Sequence, residues 1–136
     1  MSFVFNDGGR SKYFKGNAED CAVRALAILL SKDYKDTYDS FNPLSIIGCT
    51  PRNGCTPQQI FDTYTEYNLV QIKLFDELDI DFLKDFNVIV EYENHMQAVL
   101  KGVIHDTHDK FQPYEAIAIW CHKSDEFKIK EILNYF

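Results

Sequence analysis

The sequence predicts an α+β domain in which N-terminal helices pack on an antiparallel β-sheet. Three observations carry this: apolar residues recur at helical spacing as far as Tyr67, they come in short β-rich runs beyond Asn68, and turn residues fall between the runs. At 136 residues the chain is long enough to bury one core and too short for two, so a single domain over residues 1–136 is expected.

Asn6-Asp-Gly-Gly-Arg10 is turn chemistry, with two glycines after an Asx residue to allow positive φ. The stretch from Asn17 to Leu30 then carries Ala22, Ala25, Leu26, Leu29 and Leu30 near i, i+3, i+4, with Arg24 and Lys32 outside the apolar face. This spacing predicts a helix running to about Lys32, with Asn17 or Asp20 as N-cap and Cys21 in the first turn. A second helix is expected over Tyr34 to Phe41, stopped by Asn42-Pro43, followed by a loop from Leu44 to Cys55. Thr56-Pro-Gln-Gln59 reads as a capping box with proline at the first helical position, starting a third helix through Ile60, Phe61, Tyr64 and Tyr67.

The β-rich runs are Leu69 to Phe75, Val88 to Tyr92, His95 to Leu100, Val103 to Asp106 and Ala116 to His122, with an amphipathic turn or short helix over Asp76 to Phe86. Lys101-Gly102 fits a two-residue hairpin turn. The helices should cover one side of the resulting sheet.

Composition narrows the function classes. Hydrophobic residues make up 46% and charged residues 26%, as in ordinary globular domains. Net charge is −7, and the 14 Lys and Arg residues are outnumbered by 21 Asp and Glu and form no run, which excludes a basic nucleic-acid surface. The N-terminus shows no basic stretch followed by an apolar one, and the longest apolar run, Ala25 to Leu30, is far below the ~20 residues of a membrane span. A cytoplasmic protein with no membrane partner is therefore expected. In that compartment the four cysteines, Cys21, Cys49, Cys55 and Cys121, should be free thiols. Cys49, Cys55, Cys121 and His122 make a four-ligand zinc set on paper, but the five residues between Cys49 and Cys55 exceed the spacing of common zinc knuckles. Neither a metal nor another cofactor is expected.

A cysteine opening a helix meets unpaired backbone N–H groups and the positive end of the helix dipole, which favour the reactive thiolate; the carboxylates Glu19 and Asp20 oppose this. A nucleophilic cysteine also needs a base and a group to orient that base. If Lys101-Gly102 is the turn, Leu100 pairs with Val103, Gln97 with Asp106 and His95 with His108, so His95, Gln97, Asp106 and His108 share one face. Cys21 is then the candidate nucleophile, His95 the base and Asp106 the group that fixes its tautomer. The backbone N–H of Cys21 would bind the substrate oxyanion with an amide donor, for which Asn17 and Asn6 are both candidates. The plainer readings are a core cysteine, a surface histidine and a hairpin carboxylate. His105 should face away from the site, His108 and His122 should lie on the surface, Trp120 should be core, and Arg10 and Arg24 should serve as ion-pair partners for the acidic excess.

The order of a cysteine at a helix start, a histidine at a strand start and an aspartate on the following strand resembles the papain-like cysteine peptidase superfamily. More narrowly, Asn6-Asp-Gly-Gly-Arg10, Asp20-Cys-Ala-Val-Arg-Ala-Leu-Ala27, Pro51-Arg-Asn-Gly54 and the stretch from His95 to Asp109 resemble a group of small proteins encoded by phages and other viral or bacterial genomes. The resemblance implies a minimal papain-like fold with Cys21, His95 and Asp106 in the catalytic positions. It also implies a thiol hydrolase that cleaves a peptide, isopeptide or related amide through an acyl-enzyme, its substrate a peptide or a host or viral protein. The glutamine that papain-like peptidases commonly place shortly before the cysteine has no counterpart here. The alternative is a papain-like scaffold without catalysis that binds a host or viral partner.

Overall fold

Helix α1, Cys21–Leu30, is apolar on nearly every side, and Ala22, Val23, Ala25, Leu26, Ala27, Ile28 and Leu29 are all buried. A helix of that composition must be covered all round. It is the central helix of the computed structural model, which describes residues 2–14, 20–41 and 55–135. Helix α2, Tyr34–Phe41, and helix α3, Pro57–Glu66, join it, and Tyr34, Phe41 and Tyr64 complete the same core.

The sheet is six-stranded, in the order β1-β5-β4-β3-β6-β2, where β1 is Ser2–Phe5, β2 Leu69–Lys73, β3 Asn87–Tyr92, β4 His95–Leu100, β5 Val103–Asp106 and β6 Ala118–His122. All neighbours are antiparallel except β1, which lies parallel to β5. With the helices, this makes the α+β class that the sequence predicts. Alternation divides the strands: Leu69, Ile89, Met96, Ala98 and Trp120 pack with α1, while Ile72, Val88, Val90, Val99, Ile104, Ile119 and Cys121 pack on the other face. Phe82 and Leu83, in a 3₁₀ turn over Phe82–Asp85, and Ile129 of helix α4, Glu126–Leu133, cover that second face. Both faces are therefore buried, which corrects the expectation of helices on one side only.

Several local expectations hold. The Thr56 hydroxyl accepts from the Gln59 N–H at 3.1 Å and the Gln59 side chain accepts from the Thr56 N–H at 2.9 Å, so α3 begins with a complete capping box. Lys101 and Gly102 both have positive φ, 48° and 80°, as a type I′ hairpin requires. Helix α1 stops at Leu30 instead of Lys32 because Ser31 turns left-handed: its N–H bonds to the Ile28 carbonyl while the Lys32 N–H bonds back to Ala27. Strand β2 ends at Lys73 and β6 starts at Ala118, each two residues inside the predicted run. Asn42-Pro43 and the loop predicted over Leu44 to Cys55 lie outside the described residues, apart from Cys55 itself.

The Asn6-to-Arg10 turn sits directly on α1. Asn6 Oδ1 accepts from the Gly8 N–H at 2.8 Å and Asp7 Oδ1 from the Gly9 N–H at 2.9 Å, while Gly8 and Gly9 hold φ of 70° and 92°. A Cβ at Gly8 would lie 3.2 Å from the Arg24 carbonyl oxygen, whereas one at Gly9 would meet only the Tyr34 Cβ at 3.7 Å. Gly8→Ala therefore combines left-handed strain with a backbone clash and should destabilise by about 2 kcal/mol or more, against about 1 kcal/mol for Gly9→Ala. Urea denaturation of the two variants checks this order, and equal losses would contradict it.

Candidate active site

The hairpin positions His95. His95 opens β4 and faces Tyr92 across the β3–β4 pair, while the β4–β5 register Leu100↔Val103, Val99↔Ile104, Ala98↔His105 brings Gln97 next to Asp106. His95 Nε2 meets Asp106 Oδ2 at 2.6 Å. Gln97 Nε2 donates to the same oxygen at 3.1 Å and to the Lys110 carbonyl at 2.6 Å, and the Tyr92 hydroxyl donates to Gln97 Oε1 at 3.0 Å. Tyr92 also stacks on the His95 ring, with centroids 6.2 Å apart. The imidazole is thus fixed at its edge and on its face. The predicted pairing of His95 with His108 does not form, because β5 ends at Asp106; His108 is exposed and hydrogen-bonded to Thr107 Oγ1.

Cys21 opens α1 as His95 opens β4, and both side chains line one cavity where the helix and the hairpin end together. Asp106 occupies Nε2, which leaves Nδ1 as the nitrogen facing the sulfur. Burial disfavours the imidazolium, but the hydrogen bonds to Asp106 and Cys21 and the charges of both outweigh it, and the His95 pKa rises from 6.5 to about 9. For Asp106 burial acts against ionisation, and the His95 hydrogen bond and charge, the Thr107 N–H and the Gln97 amide together hold its carboxyl below 3.8. The linkage has opposite signs at its two ends. His95 contributes stability that is complete below pH 6.5 and is lost as pH rises through about 9, and Asp106 contributes stability that is present above 3.8 and is lost as pH falls below it. NMR titration of the His95 ring should give a midpoint near 9 that moves toward 6.5 in Asp106→Asn; an unmoved midpoint would refute the assignment.

Arg24 lies inside the structure, not on an outer face of α1, with its side chain 11% exposed. Its Nη1 contacts Asp20 Oδ1 at 2.5 Å and its Nη2 lies 3.9 Å from Asp106 Oδ1. Asp20, fully buried at the side chain, also meets Arg10 Nε at 3.3 Å and accepts a hydrogen bond from the Tyr34 hydroxyl. Asp20 occupies the N-cap position of α1 without capping it, since its carboxylate is committed to these partners. The charge expected to oppose a Cys21 thiolate is therefore matched by two guanidinium groups. The sequence held a signal for this, the i, i+4 spacing of Asp20 and Arg24. Arg24→Gln leaves buried carboxylates without their shared cation and should cost about 3 kcal/mol, with Arg24→Lys retaining part of the loss. Thermal and urea unfolding of both variants checks this.

Asn6 is not brought to Cys21. Its Nδ2 donates to His105 Nδ1 at 3.2 Å, and its side chain belongs to the turn on α1. Asn17, the other amide candidate, lies outside the described residues. His105 faces away from the His95–Asp106 pair, and Trp120 is fully buried, as expected. Of the paper zinc set, Cys55 borders the same cavity as Cys21, Cys121 is buried in the far face of the sheet, and Cys49 lies outside the described residues. Burial, with Asp125 and Glu126 nearby, pushes the Cys121 thiol up to about 12. The cavity beside Cys21 and His95 encloses about 920 Å³, with Ile60, Phe61, Glu91 and Trp120 on its walls. Sequence alone places Gln97 on the same face as His95 and Asp106 but does not distinguish Arg24, Tyr92 or Glu91 as parts of the site. No protein-family model, no curated protein and no solved structure matches the chain.

Proposed function

We propose that the protein is a thiol hydrolase of papain-like type, cleaving a peptide, isopeptide or related amide through an acyl-enzyme on Cys21. The observation that carries this reading is the succession Cys21, His95, Asp106, with the cysteine and the histidine lining one cavity and the histidine bonded to the carboxylate at 2.6 Å. A scaffold that only binds has no use for a sulfur, an imidazole and a buried carboxylate in that order.

In this mechanism the proton of the Cys21–His95 pair sits on the imidazole, whose pKa is raised to about 9, and the Sγ thiolate attacks the substrate carbonyl. The oxyanion faces the start of α1, where the first intrahelical bond is Arg24 N–H to the Asp20 carbonyl, so the Cys21 N–H has no helical partner. His95 then gives its proton to the leaving amine as the C–N bond breaks. A water attacks the thioester with the now neutral His95 as base, releasing the acid and restoring the thiolate–imidazolium pair. Asp106 keeps Nε2 protonated throughout. The substrate is a peptide or protein, and the resemblance to phage and viral proteins makes a host or viral protein the natural candidate.

Iodoacetamide at neutral pH should alkylate Cys21 well ahead of Cys55 and Cys121, as read by peptide mass mapping, and His95→Ala should remove the preference. In a screen of fluorogenic peptide amides, Cys21→Ala should abolish turnover and His95→Ala should lower it by about 10²–10⁴-fold. Equal labelling of the thiols, or turnover surviving Cys21→Ala, would overturn the proposal.

A further inference from the structure

Glu91 lies on β3 at the cavity wall, half-buried, and its two oxygens are treated differently. Oε1 accepts from the Trp120 indole N–H at 2.8 Å and from Gln71 Nε2 at 2.9 Å, donors that come from the neighbouring strand β6 and from β2 beyond it. Among the described residues, nothing donates to Oε2 and no cation forms an ion pair with Glu91. Arg24 borders the same cavity, but it is committed to Asp20 and Asp106. Ile60, Phe61 and Trp120 supply apolar walls near this carboxylate, and the Phe61 ring stands edge-on to Trp120 at 6.0 Å.

A carboxylate with one oxygen held by two donors and the other left open, on a cavity that also presents Ile60, Phe61 and Trp120, suits a long aliphatic stem carrying a cation. We propose that Glu91 is a specificity residue that binds the ammonium or guanidinium of a lysine or arginine side chain in the substrate, next to the bond presented to Cys21. The proposal rests on the hydrolase reading for its role in turnover, but the cation site is testable without it. A purely structural Glu91 would serve only to accept from Trp120 and Gln71. Glutamine accepts those two bonds equally well through its own Oε1, so Glu91→Gln separates the roles.

Two readouts decide it. The chain has one tryptophan, so its indole N–H resonance reports on Glu91 without ambiguity. In wild type that resonance should shift with a blocked lysine peptide at millimolar concentration and not with its norleucine counterpart, and in Glu91→Gln the difference should vanish while the melting temperature holds. Separately, peptidyl chloromethyl ketones alkylate a reactive Cys21 by forming a C–S bond as chloride leaves. With lysine or norleucine one or two residues from the warhead, wild type should favour lysine at least tenfold and Glu91→Gln should show a ratio near one. Preferential iodoacetamide labelling of Cys21 combined with equal lysine and norleucine responses would overturn the Glu91 site and leave the hydrolase standing. A lysine-selective indole shift with an unreactive Cys21 would uphold the cation site and overturn the hydrolase. A lysine preference that survives Glu91→Gln would assign the cation to another group and refute the proposal.

Discussion

The arrangement of the site depends on one buried cation. Arg24 sits between Asp20 and Asp106, and the carboxylates belong to parts of the chain that share no local contact, the start of α1 and the end of β5. A buried charge is tolerated only near opposite charge, so the guanidinium, bonded to Asp20 and 3.9 Å from Asp106, favours keeping those two ends together. Asp20 draws in further elements through Arg10, from the glycine turn, and Tyr34, from α2. Because Cys21 follows Asp20 directly and His95 is bonded to Asp106, the relation between sulfur and imidazole is set by this network. The glycines of the turn have the same logic: Gly8 lies against the Arg24 backbone, where no Cβ fits without displacement.

The second constraint is the β-hairpin. A two-residue turn at Lys101-Gly102 leaves one register, and that register places Gln97 beside Asp106. Side-chain alternation then sends Met96 and Ala98 into the core under α1, while His95, Gln97 and Asp106 take the opposite side. A one-residue slip would exchange the two sets, driving Gln97 into the core under α1 and moving Met96 and Ala98 to the other covered face. The apolar residues of β4 therefore stabilise the register that the site requires.

These two constraints explain what the sequence disclosed. Helix α3 was legible from the Thr56-to-Gln59 box, the hairpin from Lys101-Gly102, and the order of Cys21, His95 and Asp106 from helix and strand starts, because each rests on neighbours within a few residues. Strand β1 was not: Ser2–Phe5 is a strand by virtue of pairing with β5 at the other end of the chain, and Phe5 remains 67% exposed. Helix α4 buries only Ile129, too little to leave an apolar stripe. Arg24 and Glu91 were missed as parts of the site for a related reason. Nothing in the residue type distinguishes a solvated charge from one committed to Asp106 or aimed into a cavity, since only the tertiary neighbours make that difference. Asn6 shows the converse, a residue of suitable chemistry whose amide the fold commits to His105.

The described cysteines show how far position outweighs identity. Cys121 lies among aliphatic side chains of the sheet, where burial opposes ionisation and no base is present, and it behaves as a small apolar residue. Cys55 borders the same cavity as Cys21, near the start of α3. Cys21 combines a helix start, an imidazole and a carboxylate behind that imidazole. The acidic surplus of the chain makes this combination harder to build, because carboxylates next to a sulfur oppose its ionisation. The fold resolves the conflict by giving Asp20, the carboxylate next to Cys21 in sequence, to two arginines, and by placing Asp106 behind His95, where its charge favours the imidazolium.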